Sequence, residues 1–174
     1  MGEVVFILGG CRSGKSSHAL ALAEESIGTD NCFIATCVPY DDEMKDRVRR
    51  HQAERGKKWR TIDAPVKLPE AIEKHSKTAD VIVVDCLTLW MNNLIMEDLA
   101  DEAVFEKVEA LKAALGKARC PVFLVSNEVG AGIVPENQLA RRFRDLTGFA
   151  NQRIAKCADK VIWMVAGIPV NIKG

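Results

Sequence analysis

The amino-acid sequence predicts an α/β fold, a mainly parallel central sheet flanked by helices, and three observations carry that prediction. Apolar runs of strand length alternate with longer helical patterns, the runs are continuous rather than polar at every second residue, and a glycine-rich loop separates the first run from the first helix. Taken in order, residues 4–8 form the first strand and a helix begins at about Lys15. Residues 32–36 form the second strand, followed by the highly charged segment 42–57. "VIVVD" at 81–85 and "VFLVS" at 122–126 are rich in β-branched residues without polar alternation, as expected of strands buried on both faces, and 161–165 closes the series. Stretches 68–76, 100–118 and 136–158 space apolar residues by three and four, as in Val104, Val108, Leu111 and Leu115, and are predicted helices. "EVGAGIVPEN" at 128–137 is a loop after a strand, the position where α/β sheets commonly border a site.

The 174 residues suit one domain, 1–174, and a chain of this size buries roughly 70% of its unfolded surface without a second core. With 48% hydrophobic residues and 24 basic against 24 acidic side chains, the chain is not globally tuned to nucleic acid, so any cationic role is local. Cys11, Cys32, Cys37, Cys86, Cys120 and Cys157 form no CxxC pair and no His/Cys metal spacing, which predicts reduced thiols in a cytoplasmic protein and no zinc. The opening "MGEVVFILGG" lacks a basic leader and has a short apolar run, so neither a signal peptide nor a membrane span is expected.

"GGCRSGKS" satisfies G-x-x-x-x-G-K-[ST] directly after a strand and at the opening of a helix. Its residues are Gly9, Gly10, Cys11, Arg12, Ser13, Gly14, Lys15 and Ser16. Backbone N–H groups of such a loop and the helix N-terminus face a phosphate, the lysine reaches the outer phosphates, and the serine hydroxyl can ligate Mg²⁺. Asp85, ending an apolar strand, is the matching carboxylate for the metal. The pattern predicts a nucleoside triphosphate bound with magnesium. Small-molecule kinases, nucleotidyl transferases, GTPase switches and motors all share that starting point, and the loop does not choose among them.

His51 stands among lysines and arginines in "DEMKDRVRRHQAERGKK". On a helix, Met44, Val48, His51 and Arg55 share one face, with Arg47 flanking, while Glu43/Arg47, Asp46/Arg50 and Glu54/Lys58 form i,i+4 pairs worth about 0.3–0.5 kcal/mol each. Surrounding cations favour a neutral imidazole, which is a nucleophile, and the same cations attract polyphosphate. The residues also admit a solvated surface histidine, or a basic helix docking RNA with Trp59 as a stacking aromatic. His18 and His75 read as structural, the latter near a helix C-terminus where it complements the dipole.

These stretches together resemble the bifunctional adenosylcobinamide kinase / adenosylcobinamide-phosphate guanylyltransferase family of cobalamin assembly. "GGCRSGKSSHA" is similar to that family's phosphate loop, "IATCVPYDDEMKDRVRRHQAERGKKWRTID" to its guanylylation segment, and the stretch from "SNEVGAGIVPEN" to "GIPVNIKG" to its C-terminal half. The resemblance implies a RecA-like P-loop NTPase fold and two reactions on a corrinoid, adenosylcobinamide: phosphorylation by ATP or GTP, then transfer of GMP from GTP through a guanylyl-histidine. It implies that His51 carries the GMP, that Lys15 is catalytic, and that Ser16 and Asp85 hold Mg²⁺. Nucleotide contacts implied are Gly9 through Ser16, Ile34, Ala35, Thr36, Gln52, Ala53, Glu54, Arg55, Asp63 and Asp85. Asp63 and Asp85 stand where the family often has Glu, Cys11 where Ala is usual, and Arg50 where some members have a second histidine. A homotrimer with sites near subunit boundaries is also implied, with no nucleic-acid partner. The alternative is a GTPase-type switch in which His51 lies on a partner-binding helix.

Overall fold

In the computed structural model, residues 2–25, 28–40, 42–55 and 58–174 are described; the side chains of Arg47 and of residues 50–55 are not. Seven strands form one sheet in the order β3-β2-β4-β5-β1-β6-β7. They are β1 (Val4–Gly9), β2 (Asn31–Ala35), β3 (Trp59–Asp63), β4 (Val81–Asp85), β5 (Val122–Asn127), β6 (Lys160–Val165) and β7 (Ile168–Lys173). All neighbouring pairs are parallel except β6 with β7, an antiparallel hairpin with a register shift at Val161/Ile162. The helices are α1 (Lys15–Glu24), α2 (Asp42–Arg55), α3 (Leu68–His75), α4 (Leu87–Met96), α5 (Asp101–Lys117) and α6 (Gln138–Cys157).

Successive side chains of a strand point to opposite faces, so a strand buried on both sides feeds two cores. Val4, Phe6 and Leu8 of β1 join Leu68, Trp90, Val108, Leu111 and Ile154 beneath α3–α6. Val5 and Ile7 join Phe33, Val83, Phe123 and Ala19 on the face covered by α1. Small residues on α1, Ala19 and Ala23, let it lie close across β1, β4 and β5.

Three elements are additional to the predicted ones, and each has a physical reason. α4 is mostly buried, with seven of its ten residues inside and polar Thr88 and Asn93 among them, so no 3.6-residue stripe marks it. β3 is a short edge strand whose outward residues are polar. β7 carries Pro169, which an edge strand tolerates because one of its two sides needs no N–H donor. Among the described residues no helix is long and apolar enough to cross a membrane. The β6–β7 hairpin leaves Trp163, Val165, Ile168, Val170 and Ile172 exposed, and Trp163↔Val170 and Val165↔Ile168 are direct cross-strand pairs on one face.

Two side-chain readings change. His75 Nδ1 accepts a hydrogen bond from Arg60 Nη1 at 3.0 Å, and a guanidinium has only donors, so the ring is neutral there. Burial, followed by the charges of Arg60 and Lys74, holds its pKa below the ordinary value, so it does not complement the α3 dipole as a cation. Trp59 is buried, edge-on to Phe33, with its Nε1 donating to Glu24 Oε1 at 3.4 Å, and offers no stacking platform.

Candidate functional site

A cleft of about 260 Å³ opens at the C-terminal ends of the strands. Ala35 ends β2, Asp85 ends β4 and Asn127 ends β5, and all three line it, together with Cys11, Arg12, Lys15 and Ser16 from the loop and helix that follow β1. The chain leaves β1, runs through α1 and returns as β2 three strands away, so the phosphate loop sits at a change of direction in the strand order.

Local geometry explains the loop's glycines. A Cβ on Gly9 would stand 2.4 Å from Ser13 Oγ and 2.9 Å from Met164 O, and Gly14 caps α1 at φ +89°, where side chains are strained. Ser13 N donates to Gly10 O at 3.3 Å, and Gly167 N donates to Ser13 O at 3.1 Å, fastening the loop to the β6–β7 turn. Lys15 Nζ donates to Gly10 O at 2.9 Å, folding back over the cradle. Among the described residues, the buried Ser13 Oγ and Asn127 Oδ1 lack hydrogen-bond partners.

Around the cleft a buried polar frame holds the strand ends. Thr36 Oγ1 donates to Cys86 O at 2.7 Å and accepts from Cys86 N at 2.8 Å. Asn93 Nδ2 donates to Thr36 O at 2.8 Å and to Pro65 O at 2.9 Å, so α4 fixes the segment after β2. Burial, and secondarily the Asp85 carboxylate, push the Cys86 thiol up to about 12, which keeps this lining sulfur protonated. Phe33, Leu89, Met44 and Val48 provide the apolar wall.

Of the residues expected at the site, Cys11, Arg12, Lys15, Ser16, Ala35 and Asp85 line the cleft, and Gly9, Gly10, Ser13 and Gly14 build the loop behind it. Ile34 is fully buried in the core beneath α3–α6, and Thr36 is fully buried in the frame just described. Asp63 is exposed at the end of β3, paired in register with Ala35. The side chains of His51, Gln52, Ala53, Glu54 and Arg55 lie outside the described residues, as do those of Arg47 and Arg50 in the expected helix pairs; their backbone belongs to α2. The ion pairs described on α2 are instead i,i+3: Lys45–Asp42 at 3.0 Å and Arg49–Asp46 at 2.8 Å. Loop 128–137 contributes no lining residue and carries Ile133 almost fully exposed. Asn127 was not among the expected residues, although "VFLVSN" ends an apolar run in a polar residue just as "VIVVD" does.

The family model described as "Cobinamide kinase / cobinamide phosphate guanyltransferase" matches residues 5–172. The chain belongs to that family. This member is 42% identical over 168 residues to the bifunctional adenosylcobalamin biosynthesis protein CobP of Pseudomonas aeruginosa, covering 97% of this chain and 96% of the relative. It is 39% identical over 182 residues to CobU of Salmonella typhimurium, covering 98% and 99%. Among solved structures, the family member resembles the RadB recombinase (TM-score 0.52, 14% identity, 93% of this chain and 74% of that one). It also resembles the flagellar accessory protein FlaH of Methanocaldococcus jannaschii (TM-score 0.53, 14% identity, 99% and 78%). At that identity the likeness concerns the fold alone, which is RecA-like.

Proposed function

We propose that the protein catalyses both reactions for which its family is described, on adenosylcobinamide. In the first, the aminopropanol hydroxyl of the corrinoid takes the γ-phosphoryl group of ATP or GTP. In the second, a ring nitrogen of His51 attacks the α-phosphorus of GTP; an N–P bond forms, the α–β bridging bond breaks and pyrophosphate leaves. An oxygen of cobinamide phosphate then attacks the same phosphorus, the N–P bond breaks, and adenosylcobinamide-GDP is released.

The observation that carries this reading is that one cleft is lined both by the phosphate loop, Lys15 and Asp85 and by Met44 and Val48 of α2. Position 51 follows Val48 by three residues on that helix, a spacing that keeps residues on one face. Lys15 exchanges the Gly10 carbonyl for phosphate oxygens and offsets charge on the leaving group. Ser16 and Asp85 supply a hydroxyl and a carboxylate oxygen, the small hard-donor set that Mg²⁺ accepts when phosphates and waters complete its octahedron. Bound there, the ion would neutralise phosphate charge. The remaining nucleotide contacts proposed are Gln52, Ala53, Glu54, Arg55 and Asp63, while Ile34 and Thr36, fully buried, support the end of β2 from behind.

We place the enzyme in the cytoplasm, consistent with free thiols at Cys11, Cys32, Cys86, Cys120 and Cys157. We also take it to assemble as a homotrimer, in keeping with the apolar row exposed on β6 and β7. Incubation with α-labelled GTP is the test of the transferase. Wild type is expected to retain acid-labile label after denaturation, and His51→Ala to retain none; equal labelling of the variant defeats the assignment and favours a nucleotide switch.

A further inference from the structure

Asn127 is a polar cleft residue to which neither the phosphate loop nor the guanylyl-histidine assigns a use. It ends β5, between β4, whose last residue is Asp85, and β1, where it is in register with Gly9. Asp85 is in register with Val125, two residues before Asn127 on β5, and Asn127 lines the same cleft as Lys15, Ser16 and Asp85.

Its backbone is pinned from both sides. Thr88 Oγ1, at the start of α4, accepts from Asn127 N at 2.6 Å, and Asn151 Nδ2, on α6, donates to Asn127 O at 3.1 Å. Ser126 Oγ joins the two anchors, lying 3.1 Å from Thr88 Oγ1 and donating to Asn151 Oδ1 at 2.8 Å. Three polar side chains from three elements, Thr88 of α4, Ser126 of β5 and Asn151 of α6, thus fix one main-chain position in a buried setting. Among the described residues, the carboxamide oxygen Asn127 Oδ1 is buried without a hydrogen-bond partner. Leaving a buried acceptor without a donor is unfavourable, so a frame that holds it in place points to a ligand donor that completes it.

Resting on the proposed kinase reaction, we infer that Asn127 binds the phosphoryl acceptor, its Oδ1 accepting a hydrogen bond from the alcohol that attacks the γ-phosphorus. Phosphate oxygens are acceptors and cannot satisfy a carbonyl-type oxygen, whereas an alcohol is a donor. The alcohol oxygen forms the new P–O bond and the β–γ bridging oxygen leaves with the nucleoside diphosphate. The alcohol proton passes to a phosphate oxygen and on to solvent, because a carboxamide does not take it. Asn127 aims the nucleophile and is not its base. Guanylyl transfer to His51 involves no alcohol and does not call on this contact.

The test compares Asn127→Ala with wild type in two assays on the same preparation: phosphorylation of cobinamide by ATP, and covalent guanylylation by α-labelled GTP. Loss of one aligned contact is expected to lower kcat for phosphorylation ~100-fold, with nucleotide KM changing less than about 3-fold. The ratio of kinase to guanylylation activity is expected to fall at least ~30-fold. A parallel fall in both activities would mean that Asn127 only supports the fold or the nucleotide, and no fall in either that it holds a water; each result overturns the inference. A wild-type enzyme that labels with GTP but does not phosphorylate cobinamide removes the kinase reading and this inference together. A wild type that phosphorylates no faster than the variant removes the inference alone.

Discussion

His75 shows how a residue's partner, rather than its type, decides its charge. As the acceptor of the Arg60 N–H, with burial and the Arg60 and Lys74 charges against protonation and Asp30 for it, the ring has a folded pKa below the ordinary 6.5. The unfolded chain binds that proton first as pH falls, so the contribution is intact above about 6.5 and is lost from there down to the folded pKa. Urea unfolding of wild type between pH 8 and 5 should therefore lose stability over that window, and His75→Gln should lose less; equal slopes would contradict the hydrogen bond. At the same scale, Lys15, Ser16 and Asp85 were legible because their chemistry needs a fixed local spacing or a strand end. Asn127 was not, since an asparagine after an apolar run is an ordinary turn residue until its neighbours are known.

Among the elements, α6 has the clearest local signal. Asn137 precedes it, and its Oδ1 accepts from Ala140 N at 3.0 Å, satisfying one of the four free N–H groups of the first turn. Asn137→Ala should cost about 1 kcal/mol in chemical denaturation, with no change in the ratio of the two enzymatic activities. The other end is closed from outside the helix, where Lys173 Nζ of β7 donates to Ala155 O at 3.2 Å and Lys156 O at 3.0 Å. α5 and α6 were readable from their apolar stripes because each has one wet face. α4 was not, because burial on all sides removes the contrast that a periodic pattern depends on, and the edge strands β3 and β7 lack the continuous apolar run of a central strand.

For the whole molecule, the strands are shared by both cores, so neither core can be exposed without the other. Trp59 belongs to the core under α1 and Trp90 to the core under α3–α6, where its Nε1 donates to Val66 O at 2.8 Å. Fluorescence of single-tryptophan variants retaining one or the other should give coincident urea midpoints, as one cooperative domain over 1–174 requires. Separated midpoints would divide the chain into two units.

Local chemistry determined what the sequence alone could settle: the strand–loop–helix that cradles phosphate, the buried parallel strands, and a resemblance spread along the chain. Those features depend on residues close together in sequence, where spacing and backbone preference act directly. Tertiary structure decided the rest, because the order β2-β4-β5-β1 brings Ala35, Asp85, Asn127 and the phosphate loop to one cleft although they are far apart in the chain. No local preference encodes which strand lies beside which; that follows from how helices and strands cover each other's apolar faces.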